Sequence, residues 1–359
     1  MERAAIILAG GLAERFQVKG EKWTDKALAS LFGKPLLIHV IERVEPVVEE
    51  IIICVNSGAR RRRYYKVLQN FSIKNVEIHT DVRYAHIRGP AVAITTGLRA
   101  AKAERCMILP CDTPFIQPTV IDYLFNACKK SSMVVPIHSN GRLETLMFAC
   151  KRLPTARIAE TLCLLKRDRP DDIIRGSSQV NFVSTIGELK ELDPEFKSFV
   201  NINFRKDLTF LPTRAFDDGP IRKSINIKLG SPTSDELNML KQATKGYNKK
   251  IQEAFNIFSC LSKSFEIKKL NFWSGLSREK EGNILFALSR RQDKAEIKRD
   301  YYAKGEAAFI KAAQNYILEA EIYNKNHIDF LAKRAVDDGL WCQTQTRASL
   351  LLNSDKNRF

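Results

Sequence analysis

Ala5-Ile6-Ile7-Leu8-Ala9-Gly10-Gly11-Leu12-Ala13-Glu14-Arg15 carries an apolar run into two glycines, with an arginine at the far end of the loop. No polar residue alternates with the apolar ones from Ala4 to Ala9, so the segment predicts a parallel strand covered on both faces. Gly10 and Gly11 lack a Cβ, which lets the backbone turn sharply and come close to a phosphate. The same pattern also makes a plain turn after a strand.

Working outward, the polar and basic segment from Phe16 to Asp25 leads to Lys26. A lysine just beyond a phosphate-cradling loop reaches over the phosphates as a compact positive charge; the bland alternative is a solvated lysine. From Pro35, the spacing of Leu36, Leu37, Val40, Ile41 and Val44 is helical, and His39 within it is assigned no chemistry. Glu50 to Val55 predicts a second buried strand ending in Asn56-Ser57-Gly58. Ligands of open α/β sheets sit beyond the carboxyl ends of the strands, which puts Asn56 at the end that meets one. The arginines Arg60 to Arg63 open the next helix, either as a solvated basic face or as phosphate contacts. Val76 to His79 predicts a third strand, followed by Asp81 and by Arg88-Gly89-Pro90-Ala91, after which Val92, Ile94, Leu98 and Ala101 resume helical spacing.

The strand Arg105 to Pro110 delivers Cys111-Asp112-Thr113-Pro114-Phe115, with Asp112 again at a carboxyl end. A carboxylate there is the hard oxygen ligand that Mg²⁺ requires, nucleotide phosphates and water completing the shell. Beside Pro114 and Pro118 it would otherwise be a helix cap or turn residue. Met133 to Ile137 and Leu146 to Cys150 predict further strands, and Phe199 to Leu208 a strand end that closes the domain.

The chain of 359 residues and 40.9 kDa is long enough for two domains, and a 44% hydrophobic, 28% charged composition is that of a globular protein. A net charge of +17 attracts polyanions without specifying a reaction. The eight cysteines are scattered, never in Cys-x-x-Cys spacing, and read as buried reduced thiols; five dispersed histidines add no zinc site. No apolar run reaches the roughly 18 residues that span a bilayer, and Met1-Glu2-Arg3 leads straight into a strand, so neither membrane span nor signal peptide is expected and the location is expected to be cytoplasmic.

Leu211 to Gly230, with Pro212, Asp217-Asp218-Gly219-Pro220 and Gly230, is turn-rich and predicts a linker over 213–231. Ser231-Pro232-Thr233-Ser234-Asp235-Glu236 reads as a helix start. Helical spacing follows through Leu237, Leu240, Tyr247, Ile251, Phe255, Phe258 and Leu261, with further helices at Ser277 to Leu288, Asp293 to Tyr323 and Asn326 to Val336. An all-α domain over 232–350 is therefore expected. Tyr302, Gly305, Phe309, Ala312, Ala313, Tyr316, Ala320 and Tyr323 share a stripe as in a tetratricopeptide hairpin, but no second copy at a period near 34 residues is visible, which favours a helical bundle core. The tail from Ser354 to Phe359 is expected to be disordered.

Leu8-Ala9-Gly10-Gly11 with Arg15, Asp25-Lys26 before Leu31-Phe32-Gly33-Lys34-Pro35-Leu36, Gly89-Pro90-Ala91, Cys111-Asp112-Thr113-Pro114-Phe115 and Phe199-Val200-Asn201-Ile202-Asn203 occur in one order. Together they resemble the molybdenum cofactor guanylyltransferases of the nucleotidyltransferase superfamily, over about residues 1 to 210. The glycine loop and lysine are shared across the superfamily; the last two elements are more specific. The resemblance implies a three-layer, Rossmann-like α/β domain over 1–212 with a mostly parallel sheet, transferring GMP from GTP to the phosphate of molybdopterin with release of pyrophosphate. It implies that Leu8, Ala9, Gly10 and Gly11 contact the nucleotide, that Lys26, Asn56 and Asp81 hold its base, sugar or phosphates, and that Arg15, Lys26 and Asp112 serve catalysis. Asp112 would bind Mg²⁺, with Asn201 and Asn203 helping to order the site.

The segment between Arg15 and Lys26 is longer than in the family, which makes Lys22 a competitor of Lys26, and Glu144-Thr145 stands where a His-Pro pair is common. Ala13, at the third loop position, is small enough to leave the cradle intact. The helical domain is expected to bind a partner such as an apo-enzyme, a second subunit or the pterin, with neither membrane nor nucleic acid involved. The rival readings are a transferase with another nucleotide or with a sugar-phosphate or alcohol-phosphate acceptor, and a nucleotide-binding scaffold without turnover.

Overall fold

The computed structural model describes residues 1–84, 87–213, 219–247 and 249–354, with side chains as far as residue 346. The chain divides into two compact units, Met1–Lys228 and Leu229–Phe359.

The opening apolar run forms β1 (Arg3–Leu8), whose residues Ala4 to Ile7 are fully buried. Further strands are the short hairpin β2 (Ser30–Leu31) and β3 (Lys34–Pro35), then β4 (Glu50–Val55), β5 (Val76–Thr80), β6 (Arg105–Pro110), β7 (Met133–Ile137), β8 (Phe148–Lys151), β9 (Gln179–Ser184) and β10 (Ile225–Lys228). All but the hairpin build one eight-stranded sheet in the order β10-β9-β7-β8-β6-β1-β4-β5. β1 lies between β4 and β6, parallel to both, with Ile6 opposite Ile52 and Ile108. β8 is antiparallel to β6 and β7, and β10 antiparallel to β9, while β7 and β9 are parallel.

Helices cover both faces. Ala5, Ile7 and Ile53 share a core with α1 (Leu36–Val44), α2 (Gly58–Asn70) and α4 (Pro118–Ala127). Across the sheet, α3 (Pro90–Ala100) packs on β1, together with α5 (Arg152–Leu164) and α6 (Pro170–Arg175). Gly97 makes that approach feasible, since a Cβ there would lie 2.2 Å from Ile6 Cγ2. This is the expected three-layer, Rossmann-like α/β architecture.

Three local expectations are corrected. Phe199 to Leu208 holds no strand: Ile202 N donates to the Asp112 carbonyl at 2.9 Å, and the amides of Asn203 and Phe204 donate to Asp207 Oδ2, both at 2.8 Å. A loop carbonyl and a carboxylate thus satisfy backbone groups that a strand neighbour would otherwise pair. The strand expected from Leu146 begins at Phe148, because Met147 N is used in a turn onto Glu144 O. Within the span expected to be a linker, Ile225–Lys228 is an edge strand, drawn into the sheet by the free side of β9. Asp217 and Asp218 of that span, and residues 355–359 of the tail, lie outside the described residues.

The second unit contains α7 (Ser234–Gly246), α8 (Ile251–Ile267), α9 (Asn271–Arg290), α10 (Ala295–Asn324) and α11 (Asp329–Ser354), each packed on the next. The first helix is capped by Thr233 in a capping box with Glu236, two residues later than the expected Ser231 cap. The stripe on α10 is buried at Phe309, Ala312, Ala313, Tyr316, Ala320 and Tyr323, and glycines bring α9 onto it: a Cβ on Gly282 would meet Phe309 at 2.8 Å and one on Gly275 would meet Tyr316 at 2.9 Å. Among the described residues, no helix is long and apolar enough to cross a membrane.

Candidate active site

Because β1, β4, β5 and β6 run in parallel, their carboxyl ends deliver the glycine loop, Asn56, Asp81 and Asp112 to one edge of the sheet. Pairing continues just past the strand ends: Ala9 N donates to Cys54 O at 2.9 Å, Cys111 N to Leu8 O at 3.2 Å and Asp81 N to Val55 O at 2.8 Å. A Cβ on Gly10 would lie 3.0 Å from Asn56 N and 3.2 Å from Asp81 Oδ2, so these three residues share one corner and only a glycine fits it without displacing a neighbour. Gly11 is exposed, with open space where a Cβ would be.

Lys26 is not solvated. Its Nζ forms an ion pair with Asp112 Oδ2, joining residues 86 positions apart, and the two side chains are only 12% and 18% exposed. Lys22, the competitor, is exposed, as is Arg15, which sits on a single turn whose neighbour Phe16 is buried. Asn201 and Asn203 flank Ile202, whose amide bonds to the Asp112 carbonyl, so both lie beside that aspartate along the backbone. The Asn201 Oδ1 is buried without a hydrogen-bond partner.

Asp81 also has a buried oxygen, Oδ1, without a hydrogen-bond partner. Burial pushes its carboxyl up to about 7, against a partial opposing pull from Arg60. Burial likewise raises the Cys111 thiol to about 12, and none of the eight cysteines is joined in a disulfide. Six are buried as expected; Cys111 is half-buried and Cys260 exposed.

Sequence reasoning missed the support beneath the loop. Arg60 separates from the rest of its arginine run: it turns inward, with Nε 3.2 Å from Asp25 Oδ2 and a nitrogen donating to Gly11 O at 3.0 Å, while Arg61 to Arg63 stay exposed. Tyr64, one helical turn on, donates its hydroxyl to Asp25 Oδ1 at 2.9 Å. The i, i+4 spacing of Arg60 and Tyr64 was the available signal. A pocket of about 350 Å³ opens here, lined by residues including Leu12, Trp23, Asn56 and Arg63. Beyond β7, His138 Nε2 lies 2.7 Å from Glu144 Oε1, so the glutamate that departs from the family pattern has a partner.

Among the described residues, no three His, Cys, Asp or Glu side chains gather into a metal cage. The Asp112 carboxylate is nonetheless a hard donor, of the kind a divalent cation takes singly while keeping most of its shell for phosphates and water.

Residues 5–179 match the MobA-like NTP transferase domain family. The chain is 28% identical over 210 residues to a probable molybdenum cofactor guanylyltransferase of Methanosarcina mazei, covering 57% of this chain and 88% of that protein. It is 29% identical over 213 residues to another of that description from Haloferax mediterranei, covering 59% and 94%. Among solved structures, molybdopterin-guanine dinucleotide biosynthesis protein A of Archaeoglobus fulgidus aligns with a TM-score of 0.47 at 22% identity, over 58% of this chain and 95% of that one. The chain carries a MobA-like NTP transferase domain and is a nucleotidyltransferase.

Proposed function

We propose that this nucleotidyltransferase transfers GMP from GTP to the phosphate of molybdopterin and releases pyrophosphate. The observation that carries the reading is the Lys26–Asp112 pair at the edge of the sheet that also holds the glycine loop, Asn56 and Asp81. The relatives called molybdenum cofactor guanylyltransferase supply the acceptor and the base.

The chemistry needs no nucleophilic side chain. A phosphate monoester is anionic at neutral pH, so an acceptor oxygen attacks the α-phosphorus directly. One P–O bond forms, the bridging α–β bond breaks, and its electron pair leaves with pyrophosphate. The protein's work is alignment and charge stabilisation. In this reading the backbone of Leu8 to Gly11 cradles the nucleotide, Asn56 and Asp81 contact its base or sugar, and Lys26 lies against the phosphates while holding Asp112 in place, with Arg15 at the rim. Asp112, supported by Asn201 and Asn203, would hold Mg²⁺, which when bound spreads the negative charge of the triphosphate. The helical domain over 232–350 is read as the part that meets a protein partner.

Pyrophosphate release measured across the four nucleoside triphosphates, with and without molybdopterin, tests the proposal. Release with GTP that depends on molybdopterin is expected; release that favours CTP, or that ignores molybdopterin, would refute it.

A further inference from the structure

Trp23 is a large aromatic side chain that the 17–24 loop holds in the open, 44% exposed, yet fixed in orientation. Its Nε1 donates to Leu12 O at 3.3 Å, and the Arg60 guanidinium lies 4.8 Å from the ring centroid, against one face. Arg60 is itself immobilised by Asp25 and Gly11 O, and Asp25 by Tyr64. The loop is tied at both ends: Gln17 Nε2 donates to Ala13 O and Thr24 O, Thr24 N donates back to Gln17 Oε1, and Arg205 pairs with Glu21 and with Thr24 Oγ1. An aromatic plate backed by a pinned cation is thus held beside the glycine loop.

The same ring lines the pocket of about 350 Å³ with Leu12, Asn56 and Ser57. That pocket adjoins the glycine loop through Leu12 and the Lys26–Asp112 pair through Asp25, the residue before Lys26. Asp25 already neutralises the buried Arg60 in its wall and the other lining arginine, Arg63, is exposed, so beside Trp23 the cavity offers a flat face that suits a heteroaromatic ring.

We propose that Trp23, supplied by the lengthened segment between Arg15 and Lys26, is the stacking platform for the base of the nucleoside triphosphate. The identity of that base rests on the guanylyl-transfer reading; the platform does not. Because the plate is oriented before binding, little side-chain freedom is lost when a ring settles on it. Stacking is tolerant of the base, so Trp23 adds affinity while the polar groups around it supply choice.

Calorimetry on the full chain tests this with Trp23→Ala and Trp23→Phe. The alanine variant should bind GTP about five- to over a hundredfold more weakly, bind inorganic tripolyphosphate as the wild type does, and regain most of the lost affinity as phenylalanine. Trp23 is the only tryptophan before Trp273, so GTP should also change the emission of the wild type and leave that of Trp23→Phe unchanged. Unaltered GTP affinity in Trp23→Ala overturns the platform. So does an equal loss for tripolyphosphate, which would show that the ring merely props the loop. If CTP or ATP proves to bind more tightly than GTP, the guanylyl reading fails, and the platform stands only if the alanine penalty follows that nucleotide.

Discussion

Arg60→Met isolates the support beneath the glycine loop. Arg60 is 8% exposed and Asp25 3%, so the substitution strands a carboxylate in the interior with only the Tyr64 hydroxyl to stabilise it. Breaking a buried ion pair by removing one partner costs about 3–5 kcal/mol. For a unit the size of Met1–Lys228, each kcal/mol shifts the melting temperature by about 2–4 °C, so a fall of roughly 6–20 °C is expected. Adding Asp25→Asn removes the stranded charge while leaving Tyr64 an oxygen to bond, and the double variant should recover much of the loss, with a coupling energy of about 1–3 kcal/mol. Urea unfolding followed by circular dichroism measures the cycle: the midpoint should move while the slope stays constant. A loss below about 1 kcal/mol in Arg60→Met, or a double variant as damaged as the sum of the singles, would refute the coupling.

Other expectations follow from the same geometry. Asp112→Asn should keep the fold and lose nearly all metal-dependent transfer, since an amide lacks the anionic oxygen a divalent cation needs; wild-type rates would sink the assignment. Lys26→Ala should weaken GTP binding and turnover together, while Lys22→Ala, at an exposed position, should leave both unchanged in the same assays. The Asp81 carboxyl, raised from 3.8 to about 7 in the fold, binds a proton in the native state that the unfolded chain has released between those values, so its contribution is most favourable below pH 3.8 and is lost as pH rises through 7. Asp81→Asn should therefore gain melting temperature relative to the wild type at pH 8 more than at pH 4, and a difference independent of pH would contradict the burial of that carboxyl. Gly97→Ala should lower stability by about 1–3 kcal/mol in urea titration, because its methyl would meet Ile6 at 2.2 Å; an unchanged midpoint would mean that α3 can back away from β1 freely.

What the sequence by itself determined is what neighbouring residues dictate. The apolar stretches Ala4 to Ala9, Ile51 to Val55 and Cys106 to Pro110 read as strands buried on both faces, and such strands run parallel under helices, which sends the glycine loop, Asn56 and Asp112 to one edge. Tertiary structure alone decided who partners whom. Arg60 and Arg61 look alike in sequence, yet about 100° of helix phase points one at Asp25 and the other at water. Lys22 and Lys26 both follow the glycine loop, and only folding showed that Lys26 pairs with Asp112, 86 residues further along the chain. Ile225–Lys228 lies in a turn-rich span that reads as linker and became a strand because β9 left a row of backbone groups unpaired beside it. Local pattern sets the conformation of a segment, whereas pairing between distant segments depends on the surfaces that folding leaves open, and no stretch of sequence read alone contains its partner.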